Sequence, residues 1–116
     1  ASLDFAVEGL GVSLLLVLGH EHCGAVGATR QTLEQNVTVG GAQSAILEQV
    51  GLSIRESQND GNNTTEAFER HHAQRIAGEI LRRSRVVSDA VERGNLGIVV
   101  GRYLVTTGFV ELLPLL

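Results

Sequence analysis

Tryptophan and lysine are absent, cysteine occurs once, and aromatic residues make up only 3% of the 116-residue chain. With so few aromatics the core has to be built from Leu, Val, Ile and Ala, and hydrophobic residues do reach 43%. All nine basic residues are arginine, the net charge is -4, and no basic patch is interleaved with aromatics. Such a chain is a poor match for nucleic acid, and no nucleic-acid partner is expected. The longest purely apolar run, Leu14 to Leu18, falls far short of the ~20 residues of a membrane span. No secretory leader is visible. The compartment stays open: cytoplasmic is favoured, organellar or exported is allowed. The lone Cys23 cannot form an internal disulfide, which leaves a buried structural thiol, a nucleophile or a metal ligand. At this length one domain is expected. It can bury roughly two-thirds of its unfolded surface, enough for a core without disulfides.

Hydrophobic spacing divides the chain into elements. Leu3, Ala6, Val7 and Leu10 recur at helical intervals and predict a helix over residues 2–10, with Ser2 as N-cap and Gly9 and Gly11 as its end. Residues 12–18 do not alternate and are almost all Leu or Val. That pattern predicts a strand covered on both faces. Helices are expected over residues 24–34, 42–54, 65–81 and 85–93. In the second of these, Ala42, Ala45, Ile46, Val50 and Ile54 share one side. A polar, solvated loop is expected between Ser57 and Thr65. Leu96 to Val100 reads as a second buried strand, Thr106-Thr107-Gly108 as a turn and Phe109 to Leu113 as a last strand, so residues 103–110 form a hairpin. The order predicts an α/β fold: a mainly parallel β-sheet flanked by helices, with an antiparallel C-terminal edge strand.

Chemistry concentrates in Gly19-His20-Glu21-His22-Cys23-Gly24, directly after the first strand. Side chains that act in such sheets lie beyond the carboxyl ends of strands. His20 and Cys23 are separated by two residues, and a strand end turning into a helix can aim both at one spot. Imidazole nitrogen and thiolate sulfur are natural zinc ligands, at about 2.0 and 2.3 Å. Zinc lowers the pKa of its water to about 7. Gly24 leaves room for substrate or for close backbone approach, which makes it a candidate for substrate contact. The pair supplies only two of the three or four ligands a metal needs. Three readings therefore stand: a metal site, a packed histidine beside an inert thiol, and a cysteine nucleophile oriented by His20 or His22. His22 is expected to point away, with a proton-shuttle role open to it. Glu21 is expected in solvent or paired with an arginine. His71 and His72 point about 100° apart on a helix and are expected at the surface or in packing. Arg82, Arg83 and Arg85 read as a solvated helix end, and Arg102 and Tyr103 as a sheet edge or subunit interface.

Residues 17–26, Val-Leu-Gly-His-Glu-His-Cys-Gly-Ala-Val, resemble the strand and zinc-ligand turn of the β-class carbonic anhydrases. Residues 1–7 followed by Leu10-Gly11-Val12 are similar to the helix before that strand. Residues 91–103 and Thr107-Gly108-Phe109-Val110 are similar to the family's last strands and their turn. The resemblance covers nearly the whole chain and is least specific over residues 37–63. It implies that His20 and Cys23 hold zinc (Zn2+) together with a second cysteine from an upstream Cys-x-Asp-Ser-Arg segment, which also carries an Asp–Arg pair. That segment would precede Ala1, so the expected unit is a single domain over residues 1–116, N-terminally incomplete. The implied reaction is reversible hydration of carbon dioxide to bicarbonate, with zinc-bound hydroxide attacking the carbon. No further catalytic residue is assigned. Family members are dimers or larger, and exposed apolar surface on the first helix would favour association; a homodimer or higher homo-oligomer is expected. Two other readings are an inactive relative kept as an interaction or scaffold module, and a related zinc hydrolase acting on a small carbon–sulfur substrate.

Overall fold

In the computed structural model, which describes residues 1–36 and 40–116, three strands form one sheet in the order β1-β2-β3. β1 (Leu14–His20) runs parallel to β2 (Gly97–Leu104), and β3 (Phe109–Leu113) returns antiparallel to β2. A parallel pair needs a long crossover. Here it carries α2 (Gly24–Gln35), α3 (Ala42–Asn59), α4 (Thr65–Arg83) and α5 (Arg85–Glu92). The expected α/β architecture is present, with β3 as the antiparallel edge.

Local signals explain most boundaries. The Thr64 hydroxyl accepts from the Ala67 amide at 3.2 Å and starts α4. Ser84 ends that helix through its own amide and starts α5 by accepting from the Val87 amide at 3.1 Å. Gly108, at φ +78°, makes the hairpin turn before β3. The expected first helix is α1 (Ser2–Asp4) running into a π-helical turn (Phe5–Gly9), with Ala1 rather than Ser2 at the N-cap position. The wider turn breaks the 3.6-residue stripe: Val7 packs against the core, whereas Leu10 is 66% exposed. α3 runs five residues past its expected end at Ile54, and its first turns project outward, leaving Ile46 exposed. The expected loop after Ser57 is mostly the end of this helix and a tight turn, in which the Ser57 hydroxyl donates to the Asn62 carbonyl at 2.9 Å.

The described helices lie on one face of the sheet only, which corrects the expectation of cover on both. Leu15 and Val17 of β1 pack inward, while Leu14, Leu16 and Leu18 are 59%, 47% and 48% exposed. On the covered side Ala73 and Ala77 of α4 meet Val100 of β2, and Val87 and Ala90 of α5 meet Leu96. A third cluster joins Val26, Val50, Ile54 and Phe68 from α2, α3 and α4. Gly19 is needed where α4 crosses β1: a Cβ there would stand 3.2 Å from the Ala73 Cβ. Among the described residues no helix is long and apolar enough to cross a membrane.

Candidate metal centre

β1 continues two residues beyond its expected end, so His20 is its last residue, opposite Tyr103 of β2. Glu21 then ties the turn to the hairpin. Its amide donates to the Tyr103 carbonyl at 2.9 Å and its carboxylate accepts from the Thr106 amide at 3.2 Å. The expected arginine or solvent partner is replaced by this backbone contact. His22 takes φ +54°, uncommon for a residue other than glycine. The reversal places Cys23 at the N-cap position of α2.

His20 Nδ1 donates to the Glu21 carbonyl oxygen at 3.0 Å. Because a carbonyl only accepts, Nδ1 carries a hydrogen, which leaves Nε2 as the ring nitrogen available to a metal. The Cys23 thiol is free and half-buried, and packs against the Val26–Phe68 cluster. His20 and Cys23 line one cleft of about 270 Å³. Its other walls are Val17, Leu18, Val26, Ala73 and Ile76, with Glu69 and His72 as further polar groups. β1 is the outer strand here, and four consecutive residues of it, 17–20, line the cleft. Gly24 opens α2 outside this lining, and a Cβ on it would meet nothing within 4 Å. His22 is exposed and does not line the cleft. A larger hollow of about 710 Å³ near α5 is lined by Glu8, Arg85, Asp89 and Arg93 and holds no His or Cys, so chemistry rather than size selects the smaller one.

Nitrogen and sulfur are the donor types zinc prefers, and the two groups fit half of a zinc site. Among the described residues no group of three or more His, Cys, Asp or Glu side chains comes together to hold a metal ion.

Sequence reasoning missed the polar residues beneath the cleft. Arg102, expected at an edge or interface, sits in the central strand at 3% exposure. It donates to Glu69 at 2.8 Å and to Glu111 at 3.2 Å. Arg70 donates to Glu111 at 2.7 Å, and Arg70 ahead of Arg102 holds that carboxyl below its ordinary range. Nearby, Arg75 donates to the Ser53 hydroxyl at 2.7 Å, and that hydroxyl is 2.7 Å from His72 Nδ1. Burial first, then Arg75 and His71, push the His72 imidazole below its ordinary value. One signal was available: Glu69, His72, Ala73 and Ile76 fall at i, i+3, i+4 and i+7, which put two polar side chains on the packed stripe of α4.

The carbonic anhydrase family model matches residues 1–110. The chain belongs to the carbonic anhydrase family. Carbonic anhydrase 2 of Mycobacterium tuberculosis is 32% identical over 107 residues, which cover 92% of this chain and 52% of that protein. A carbonic anhydrase of Mycolicibacterium smegmatis is 33% identical over 111 residues, 96% of this chain and 54% of that protein. This carbonic anhydrase chain thus spans about half the length of the curated relatives it matches. A tetrameric β-carbonic anhydrase of Sordaria macrospora superimposes with a TM-score of 0.74 at 16% identity, covering 96% of this chain and 57% of that one. At that identity the likeness speaks for the fold, which is the β-carbonic anhydrase fold.

Proposed function

We propose that the chain supplies the His20–Cys23 half of a zinc centre that hydrates carbon dioxide reversibly to bicarbonate. One observation carries this reading: His20, held through Nδ1 by a carbonyl, and the free Cys23 line the same cleft where β1 ends. When bound, zinc acidifies water to a pKa of about 7 and so supplies the nucleophile at neutral pH. The chain's own residues do the rest. The Glu21 carbonyl fixes the His20 tautomer. Val17, Leu18 and Ile76 give the cleft an apolar wall suited to a small apolar substrate. The exposed Leu14, Leu16, Leu18, Val110 and Leu112 form an apolar face that supports assembly into a homodimer or larger homo-oligomer. The same exposed apolar face would equally serve a second reading, an inactive carbonic anhydrase relative acting as a scaffold.

Metal analysis and stopped-flow carbon dioxide hydration on the full-length protein, which would carry the other half of the centre, separate the two. Bound zinc with azide-sensitive hydration, both lost in His20→Ala, supports the enzyme. Zinc-free, inactive protein that is indifferent to that substitution supports the scaffold.

A further inference from the structure

We propose that Glu69, backed by Arg102, is a positioning residue that seats the backbone of Cys23. The proposal rests on the zinc reading above and adds to it a residue outside the His–Cys turn. Glu69 lies on α4 at 4% exposure, and its two carboxylate oxygens have separate duties. Oε1 accepts from Arg102 Nη1 at 2.8 Å, and Oε2 accepts from the Cys23 amide at 3.3 Å. That amide sits at the N-cap of α2 and is where the thiol-bearing residue joins the turn. An ion pair buried for packing alone is replaceable by apolar residues of similar volume, often at no loss of stability. Here one end of the pair terminates on the main chain of a candidate ligand.

The chemistry asks for a carboxylate at this position. Two acceptor oxygens serve two donors, whereas a glutamine has one acceptor oxygen and would present N–H groups to either Arg102 or Cys23. Arg102 balances the charge, so that a lone anion is not buried beside the sulfur. Glu111, itself held by Arg70, bonds Arg102 through Nε, and neither has a hydrogen bond to the Cys23 turn among the described residues. Glu69→Gln and Glu111→Gln therefore each remove a carboxylate from Arg102, and only the first disturbs Cys23.

Cobalt(II), added alone to metal-stripped protein and followed through its sulfur-to-cobalt absorption, tests this. Cys23→Ser should abolish the band. Glu69→Gln should weaken cobalt binding roughly 10- to 100-fold, the usual cost of losing a group that orients a ligand. Glu69→Asp should recover part of that loss, and Glu111→Gln should bind as the wild type does. Equal losses in Glu69→Gln and Glu111→Gln, or none in Glu69→Gln, overturn the proposal. A wild-type protein without the sulfur–cobalt band would sink the zinc reading itself. In that case hydrogen exchange at the Cys23 amide decides: faster exchange in Glu69→Gln alone keeps Glu69 as the seat of the turn, and unchanged exchange removes it.

Discussion

The two faces of the sheet are built from the same three strands and have opposite characters. The helix-covered face buries Arg102 and half-buries Glu111 alongside Val17 and Val100. The other presents Leu14, Leu16, Leu18, Val110 and Leu112 to the surface, with no charged residue among the strand positions that share it. The charges tolerate burial because each meets a partner, Arg102 with Glu69 and Glu111, and Glu111 also with Arg70. The leucines follow a different rule: a continuous apolar run is the mark of a strand that ends up covered on both sides. Apolarity in β1 therefore tracks the proposed assembled protein, and the helices described here account for only half of it.

Substitutions can sharpen or break this contrast. The largest effect is expected on the covered side. Phe68, with 0% exposure, fills the cluster between α2, α3 and α4, and Phe68→Ala should cost about 3–5 kcal/mol in urea unfolding. Arg102→Ala leaves Glu69 buried without its counterion and should cost roughly 3 kcal/mol, read the same way. Leu16→Ala on the bare face should stay within about 0.5 kcal/mol in dilute, dissociated protein. A much larger loss there would show that face to be covered in solution. Leu16→Asp should shift sedimentation toward smaller species if copies of the chain meet on this face, and unchanged sedimentation would count against it. The smallest effect concerns pH. The folded His72 imidazole sits below its ordinary 6.5, so the unfolded chain takes up a proton first on acidification. Stability should be level above 6.5 and decline as pH falls through that value toward the lower folded one; His72→Gln should flatten that part of the urea-midpoint profile.

The layered architecture was legible because its signals are local. The apolar runs of β1 and β2, the Thr106-Thr107-Gly108 turn and the spacing of α4 needed nothing but neighbouring residues. His20 and Cys23 were legible as a pair because one turn carries both. What escaped were the residues whose meaning depends on distant partners. Glu69 meets Arg102 across 33 positions of sequence, and Ser53 meets His72 across 19. Spacing along one helix can mark such residues as inward-facing, but it cannot say what they face. The first helix failed for a different reason: its apolar residues fit the 3.6 period, while the backbone between Phe5 and Gly9 took the wider π turn.

The missing side chain at Gly19 has a mechanical consequence. With Ala73 packed almost directly on the strand, no compliant side chain lies between β1 and α4 to absorb a displacement. A push on α4 is passed straight to the residue beside His20. The imidazole and the carboxylate that holds the Cys23 amide thus ride on one stiff joint, and a single added methyl group at position 19 would disturb both at once.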